Sequence, residues 1–186
     1  MKLIKTPISN LLLIHHSTFQ DSRGSFSVIY EKHHLKELGI TIDFVQDNQS
    51  ISNRGVLRGL HFQLPPFAQA KLVRVVKGSV LDVAVDLRKE SSTYKKYYSV
   101  VLSGNDDILF YIPEGFAHGF LTLENNTIFQ YKCSNIYNKE SEGGIIWNDR
   151  ELNIDWKIDS TFSPILSDKD NLLNNNFKVF DIINPF

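Results

Sequence analysis

Two side chains raise the question of chemistry. His61 lies in the run Arg58-Gly59-Leu60-His61-Phe62-Gln63, and Lys71 follows after a short proline-containing loop. The first run reads as a strand over 56–63, and Lys71 opens a second strand that ends at Lys77-Gly78. Strict alternation puts Leu57, Gly59, His61 and Gln63 on one face. A glycine between large residues in such a run marks a bulge or a close approach. Adjacent strands would then aim an imidazole and an ammonium into one space. A base beside a cation is what proton abstraction next to a carbonyl requires. Taken singly, His61 reads as a hydrogen-bonded core histidine and Lys71 as a solvated edge lysine. The pattern adds Asp82, Asp86, His118, Tyr131, Tyr137 and Asp170, together with Arg23 and Arg58.

The elements that must position these residues are short β-branched and aromatic runs separated by turn residues. Strands are expected over 11–15, 25–30, 44–51, 56–63, 71–76, 79–87, 94–103, 107–112, 117–123 and 127–134. In the 79–87 run, Leu81, Val83, Val85 and Leu87 share one face, and Asp82, Ala84 and Asp86 share the other. The 44–51 run is polar for a core strand, which suits an edge or an interface. Glu31 to Leu38, closed by Gly39, reads as a short helix. Ser167 can cap another short helix near Asp170. Many antiparallel strands with little helix give an all-β class: a jelly-roll β-barrel or double sheet with a few short helices. Its interior takes inward residues from alternate positions on several strands, so His61, Lys71, His118 and Tyr131 can converge. The 186 residues suit a single domain over 1–186, with 171–186 as a loosely packed tail.

Composition narrows the partners. The net charge of -1 gives no electrostatic reason to expect nucleic acid or an acidic membrane, so an anion site must be local. The lone Cys133 rules out an internal disulfide and suits a reducing cytoplasm. Leu11-Leu12-Leu13-Ile14 is too short for a signal-peptide core or a membrane span. Barrel metal sites want two histidines one residue apart, but here the second position is Gln63. No metal and no cofactor is therefore expected. There is no glycine-rich phosphate loop and no nucleophile elbow.

Seven separated motifs, spread from about Phe19 to Asp170, carry a resemblance. They are Asp21-Ser22-Arg23-Gly24, Phe44-Val45-Gln46-Asp47-Asn48, Val56 to Gln63, Ala70 to Arg74, Asp82 to Arg88, Ile112 to Phe120 and Glu142 to Asp149. In this order they resemble the dTDP-4-dehydrorhamnose 3,5-epimerases, cupin-type jelly-roll enzymes of deoxysugar synthesis. The resemblance implies a nucleotide-diphospho-4-keto-6-deoxyhexose as substrate, inverted at C3 and C5 through enolate intermediates. It implies His61 as base, Asp170 as its carboxylate partner, Lys71 facing the enolate oxygen and Tyr131 as the acid on the opposite face. His118 and Asp82 would line the same pocket, and Arg23 and Arg58 would hold the diphosphate. Phe26, Gln46, Asn48 and Tyr137 would complete the contacts to sugar and nucleotide. It also implies a homodimer, with N-terminal strands near the partner's site.

Val28 stands where the family carries a glutamate, which leaves the nucleotide open. Arg58 and His61 fall on opposite faces under strict alternation, so a shared site requires a kink near Gly59. An epimerase acting at C3 alone, a 3,4-ketoisomerase and a non-catalytic sugar-nucleotide-binding cupin remain alternatives at this stage.

Overall fold

The computed structural model describes residues 1–158, 162–173 and 176–186. The alternating runs build strands β1 (Lys2–Lys5), β2 (Leu12–His15), β3 (Thr18–Asp21) and β4 (Gly24–Ser27), then helix α1 (Lys32–Glu37) and β5 (Gln46–Ser52). The central block holds β6 (Leu57–Gln63), β7 (Lys71–Lys77), β8 (Ser79–Asp86), β9 (Tyr97–Ser103), β10 (Ile108–Ile112), β11 (Phe116–Thr122) and β12 (Thr127–Cys133). Then come β13 (Glu142–Gly144) and the helices α2 (Asp168–Asn171) and α3 (Phe177–Ile183). One sheet has six strands in the order β1-β2-β10-β7-β12-β5, and the facing sheet has five, β13-β6-β11-β8-β9. Strands β3 and β4 form a separate hairpin. The polar strand β5 is indeed an edge strand.

Period-2 patterning sorts the apolar side chains into three layers. Between the sheets, Val73, Val75, Phe110 and Phe129 meet Val80, Ala84, Leu102 and Phe120. Outside the five-stranded sheet, Leu81, Val83, Val85 and Leu87 pack with Trp156, Phe177 and Phe180. Outside the other sheet, Ile14, Leu72 and Leu109 are covered by Leu35 of α1 and by Ile40. The face assignment for 79–87 therefore holds, and it turns Asp82 toward the lumen beside Ala84.

Strict alternation fails in β6. Leu57, Leu60 and Phe62 belong to the outer layer, so Leu57 does not share a face with His61. The register explains this. His61 pairs with His118 and Arg58 with Phe120, so three steps on β6 oppose two on β11. Gly59 takes up the extra residue at φ 114°, and a Cβ there would lie 2.6 Å from the Gly119 Cα. The bulge turns both Arg58 and His61 inward.

The expected loose tail is corrected over 176–186. The Asn176 side chain caps α3 by accepting from the Val179 N–H at 3.0 Å. Phe177 and Phe180, three apart on one helix face, are buried against the five-stranded sheet. Asn184 donates to the Leu87 carbonyl at 2.7 Å. The sequence reading also misses β1, and it starts β9 too early, since Tyr94 to Lys96 turn before the strand begins.

Candidate active site

At one end of the lumen lies a cavity of about 400 Å³ lined by Arg58, His61, Lys71, His118, Tyr131 and Asp170, among others. Five elements supply these six residues: β6, β7, β11, β12 and α2. The strands hold their residues through cross-strand register, His61 opposite His118 and Tyr131 opposite Val73. Asp170 arrives differently. Ser167 caps α2, its Oγ accepting from the Asp170 N–H at 3.1 Å, and the same hydroxyl donates to the Asp170 Oδ2 at 2.9 Å. The other carboxylate oxygen, Oδ1, lies 2.6 Å from His61 Nε2. Burial pushes the Asp170 carboxyl up, but the hydrogen bond and charge of His61, with Ser167 and Lys169, outweigh it and hold the group below its ordinary value.

A second pair lies deeper. His118 Nε2 is 2.9 Å from Asp82 Oδ1, and Asp82 is fully buried. Burial keeps the His118 imidazole below its ordinary pKa despite the opposing pull of Asp82. The aromatic floor beneath it is Phe129, stacked at 6.2 Å between ring centroids. Lys71 is buried, and its Nζ stands 5.9 Å from the Tyr131 ring centroid. Burial depresses the Lys71 ammonium and raises the Tyr131 phenol, each toward its neutral form. At the mouth, Arg58 donates through Nη2 to Ser52 Oγ at 3.2 Å. Asn48 also lines the cavity, and its side-chain Oδ1 accepts from Gln46 Nε2 at 3.0 Å.

Five expected site residues lie outside this cavity's lining: Arg23, Phe26, Gln46, Tyr137 and Asp82, the last of which touches His118. Arg23 and Phe26 sit on the β3–β4 hairpin, where Arg23 pairs with Asp21 at 2.6 Å and Phe26 is 66% exposed. Tyr137 is also exposed, and its hydroxyl donates to Glu142 at 2.9 Å. Gln46 lies beside it, accepting from the Tyr137 N–H at 2.9 Å. Asp86 has a structural role, accepting from Arg88, Ser91 and Thr93. Sequence reasoning passed over Ser50, Phe120 and Lys169, which all line the cavity. Alternation from Asn48 and His118 would have found Ser50 and Phe120, and Lys169 adjoins Asp170.

Gln63, at the position where a second metal-ligating histidine would fall, instead donates its amide to the Phe67 and Ile136 carbonyls. Among the described residues, no group of three or more His, Cys, Asp or Glu could hold a metal ion. Nor is any of their helices long and apolar enough to cross a membrane.

A double-sheet antiparallel barrel with two histidine–carboxylate pairs, a lysine and a tyrosine in its lumen defines a cupin-type protein equipped to move protons. The family model for dTDP-4-dehydrorhamnose 3,5-epimerase matches residues 5–176, and the chain belongs to that isomerase family. The dTDP-4-dehydrorhamnose 3,5-epimerase of Shigella flexneri is 48% identical over 171 residues, covering 91% of this chain and 93% of its own. The crystal structure of the enzyme from Elizabethkingia anophelis NUHP1 superposes with a TM-score of 0.90 at 50% identity, over 96% of this chain and 97% of that one. The dTDP-6-deoxy-D-glucose-3,5-epimerase of Legionella pneumophila Philadelphia 1, solved with dTDP-4-keto-L-rhamnose, gives a TM-score of 0.87 at 44% identity, over 92% and 90% of the two chains.

Proposed function

We propose that the protein inverts C3 and C5 of dTDP-4-dehydro-6-deoxyglucose, giving dTDP-4-dehydrorhamnose. The observation that carries this reading is the 2.6 Å contact between His61 and Asp170 in a cavity that also holds Lys71 and Tyr131. The protons at C3 and C5 flank a ketone, so each is acidic only as far as the resulting enolate is stabilised. His61 Nε2 faces Asp170, which leaves the other ring nitrogen, Nδ1, to take the proton. The Asp170 carboxylate stabilises the imidazolium that forms. Lys71 stands for the cation at the enolate oxygen, in a buried setting where its charge is weakly screened. Tyr131, its phenol raised by burial, stays protonated at neutral pH and delivers a proton to the opposite face. No electrons leave the substrate, so the chemistry calls for no cofactor.

Arg58 at the mouth suits the diphosphate through its guanidinium fork. Arg23 and Phe26 would reach a nucleotide from a second copy, because their hairpin is exposed in this one; the reading therefore includes a homodimer. We take the chain to act as one domain in the cytoplasm, consistent with a single buried, free Cys133. The test is proton NMR of the purified protein with this substrate in deuterium oxide. Deuterium at both C3 and C5, with conversion to the C3,C5-inverted sugar, is the expected result. Deuterium at C3 alone would replace the reading with a single-centre epimerase, and no exchange would reject catalysis on this substrate.

A further inference from the structure

The cavity is polar almost throughout. Of the side chains lining it, every one but Phe120 carries a hydrogen-bonding group. Phe120 is 5% exposed and stacks on Phe129 with 4.0 Å between ring centroids and 22° between planes. Phe129 itself is 1% exposed and belongs to the packed layer between the sheets with Val75, Val80 and Ala84. The Phe120 ring is thus a fixed apolar surface, backed by core and presented to the ligand space.

Register places this surface between the anion site and the base. On β11, Phe120 follows His118 by two residues on the same face, opposite Arg58, while His118 stands opposite His61. In a pyranose, C3 and C5 are each two bonds from C1, which bears the diphosphate, so the chemical character of the substituents decides which of them an apolar surface suits. With the diphosphate toward Arg58 and the acidic carbons toward His61, Phe120 stands beside the sugar ring, and the substituent on C5 is the one its surface suits. That substituent is the one apolar group of a 6-deoxyhexose. Every other ring substituent is an oxygen.

We propose that Phe120 seats the C6 methyl group and is the residue by which the cavity selects a 6-deoxy sugar over its 6-hydroxy counterpart. The inference rests on the epimerase reading and deepens it. An apolar seat offers a C6 hydroxyl no partner and strips its water, and a pocket of this kind discriminates against an added hydroxyl by about 100-fold. Phe120→Leu keeps an apolar seat and should keep the preference. Phe120→Ser supplies a hydroxyl and space, and should bring the preference below about tenfold.

The experiment compares kcat/KM for deuterium incorporation into dTDP-4-dehydro-6-deoxyglucose and into the analogue carrying a 6-hydroxyl, for the wild type and both variants. A second measurement does not depend on how the variants fold. Wild-type protein with labelled phenylalanine rings is examined for magnetisation transfer from the C6 methyl of bound dTDP-rhamnose. The expected result is transfer to the Phe120 ring, with a wild-type preference of about 100-fold that survives in Phe120→Leu. Turnover of both substrates at equal rates by the wild type, or a methyl group in contact with other residues and not Phe120, would overturn the assignment of Phe120 alone. Wild-type protein inert toward both substrates would overturn the epimerase reading and this inference with it.

Discussion

Replacing Asp170 by asparagine tests whether the charge behind His61 contributes to the rate. The exchange is nearly isosteric, and the asparagine side chain can still accept from the imidazole. What is lost is the negative charge 2.6 Å from Nε2, on a side chain only 3% exposed. A hydrogen bond to a charged group contributes about 1.5–3 kcal/mol. At about 1.4 kcal/mol per tenfold, that is about 10- to 100-fold in rate. The contact strengthens only as the imidazolium forms, so kcat and kcat/KM should fall together, with KM little changed. Deuterium incorporation at C3 and C5, followed by NMR at a series of substrate concentrations, measures both. A variant that keeps its rate within about threefold would show that Asp170 is not the partner of a catalytic base.

Two further outcomes concern stability. Phe177→Ala empties a fully buried site beneath the five-stranded sheet, and should cost about 3–5 kcal/mol in a urea melt; a loss below about 1 kcal/mol would mean that α3 is not docked there in solution. Burial alone would raise the Asp86 carboxyl, but its bonds from Arg88, Ser91 and Thr93 outweigh that and hold it below its ordinary 3.8. A depressed carboxyl contributes stability that is present above the unfolded pKa and is lost as pH falls through the folded one. Asp86→Asn should therefore destabilise by about 1.5–3 kcal/mol at pH 7, and the gap from the wild type should narrow at pH below 3.8 in parallel melts. A gap that stays constant with pH would remove the charge from the explanation.

The strands of the central block were legible because each buries one face, or both, against a different layer. In 79–87 the alternation put Asp82 and Ala84 on one face, the face that the sheet turns to the lumen, and Ser167 before Asp170 announced the cap that positions the carboxylate. The conflict between Arg58 and His61 was legible as a conflict, and Gly59 as the place where it had to be resolved. What alternation could not say is which residues change face, because a bulge depends on what the facing strand tolerates. Here it depends on Gly119, where a Cβ would meet the Arg58 carbonyl at 2.7 Å. Helix α3 was missed although Asn176, Phe177 and Phe180 carry its cap and its buried face. Its asparagine-rich approach masked a short amphipathic pattern. The position of Arg23 and Phe26 was not legible, because a hairpin that packs little of itself on the barrel has its place set by long-range contacts.

The most direct measurement of the two-face mechanism is deuterium incorporation and product configuration in one NMR experiment, for the wild type, His61→Ala and Tyr131→Phe. With His61 as base and Tyr131 as the opposing acid, the wild type should exchange and invert both centres. His61→Ala should do neither, and Tyr131→Phe should still exchange protons while inversion is lost. Inversion by Tyr131→Phe at the wild-type rate, or exchange at both carbons in His61→Ala, would contradict the assignment of base and acid to these two residues.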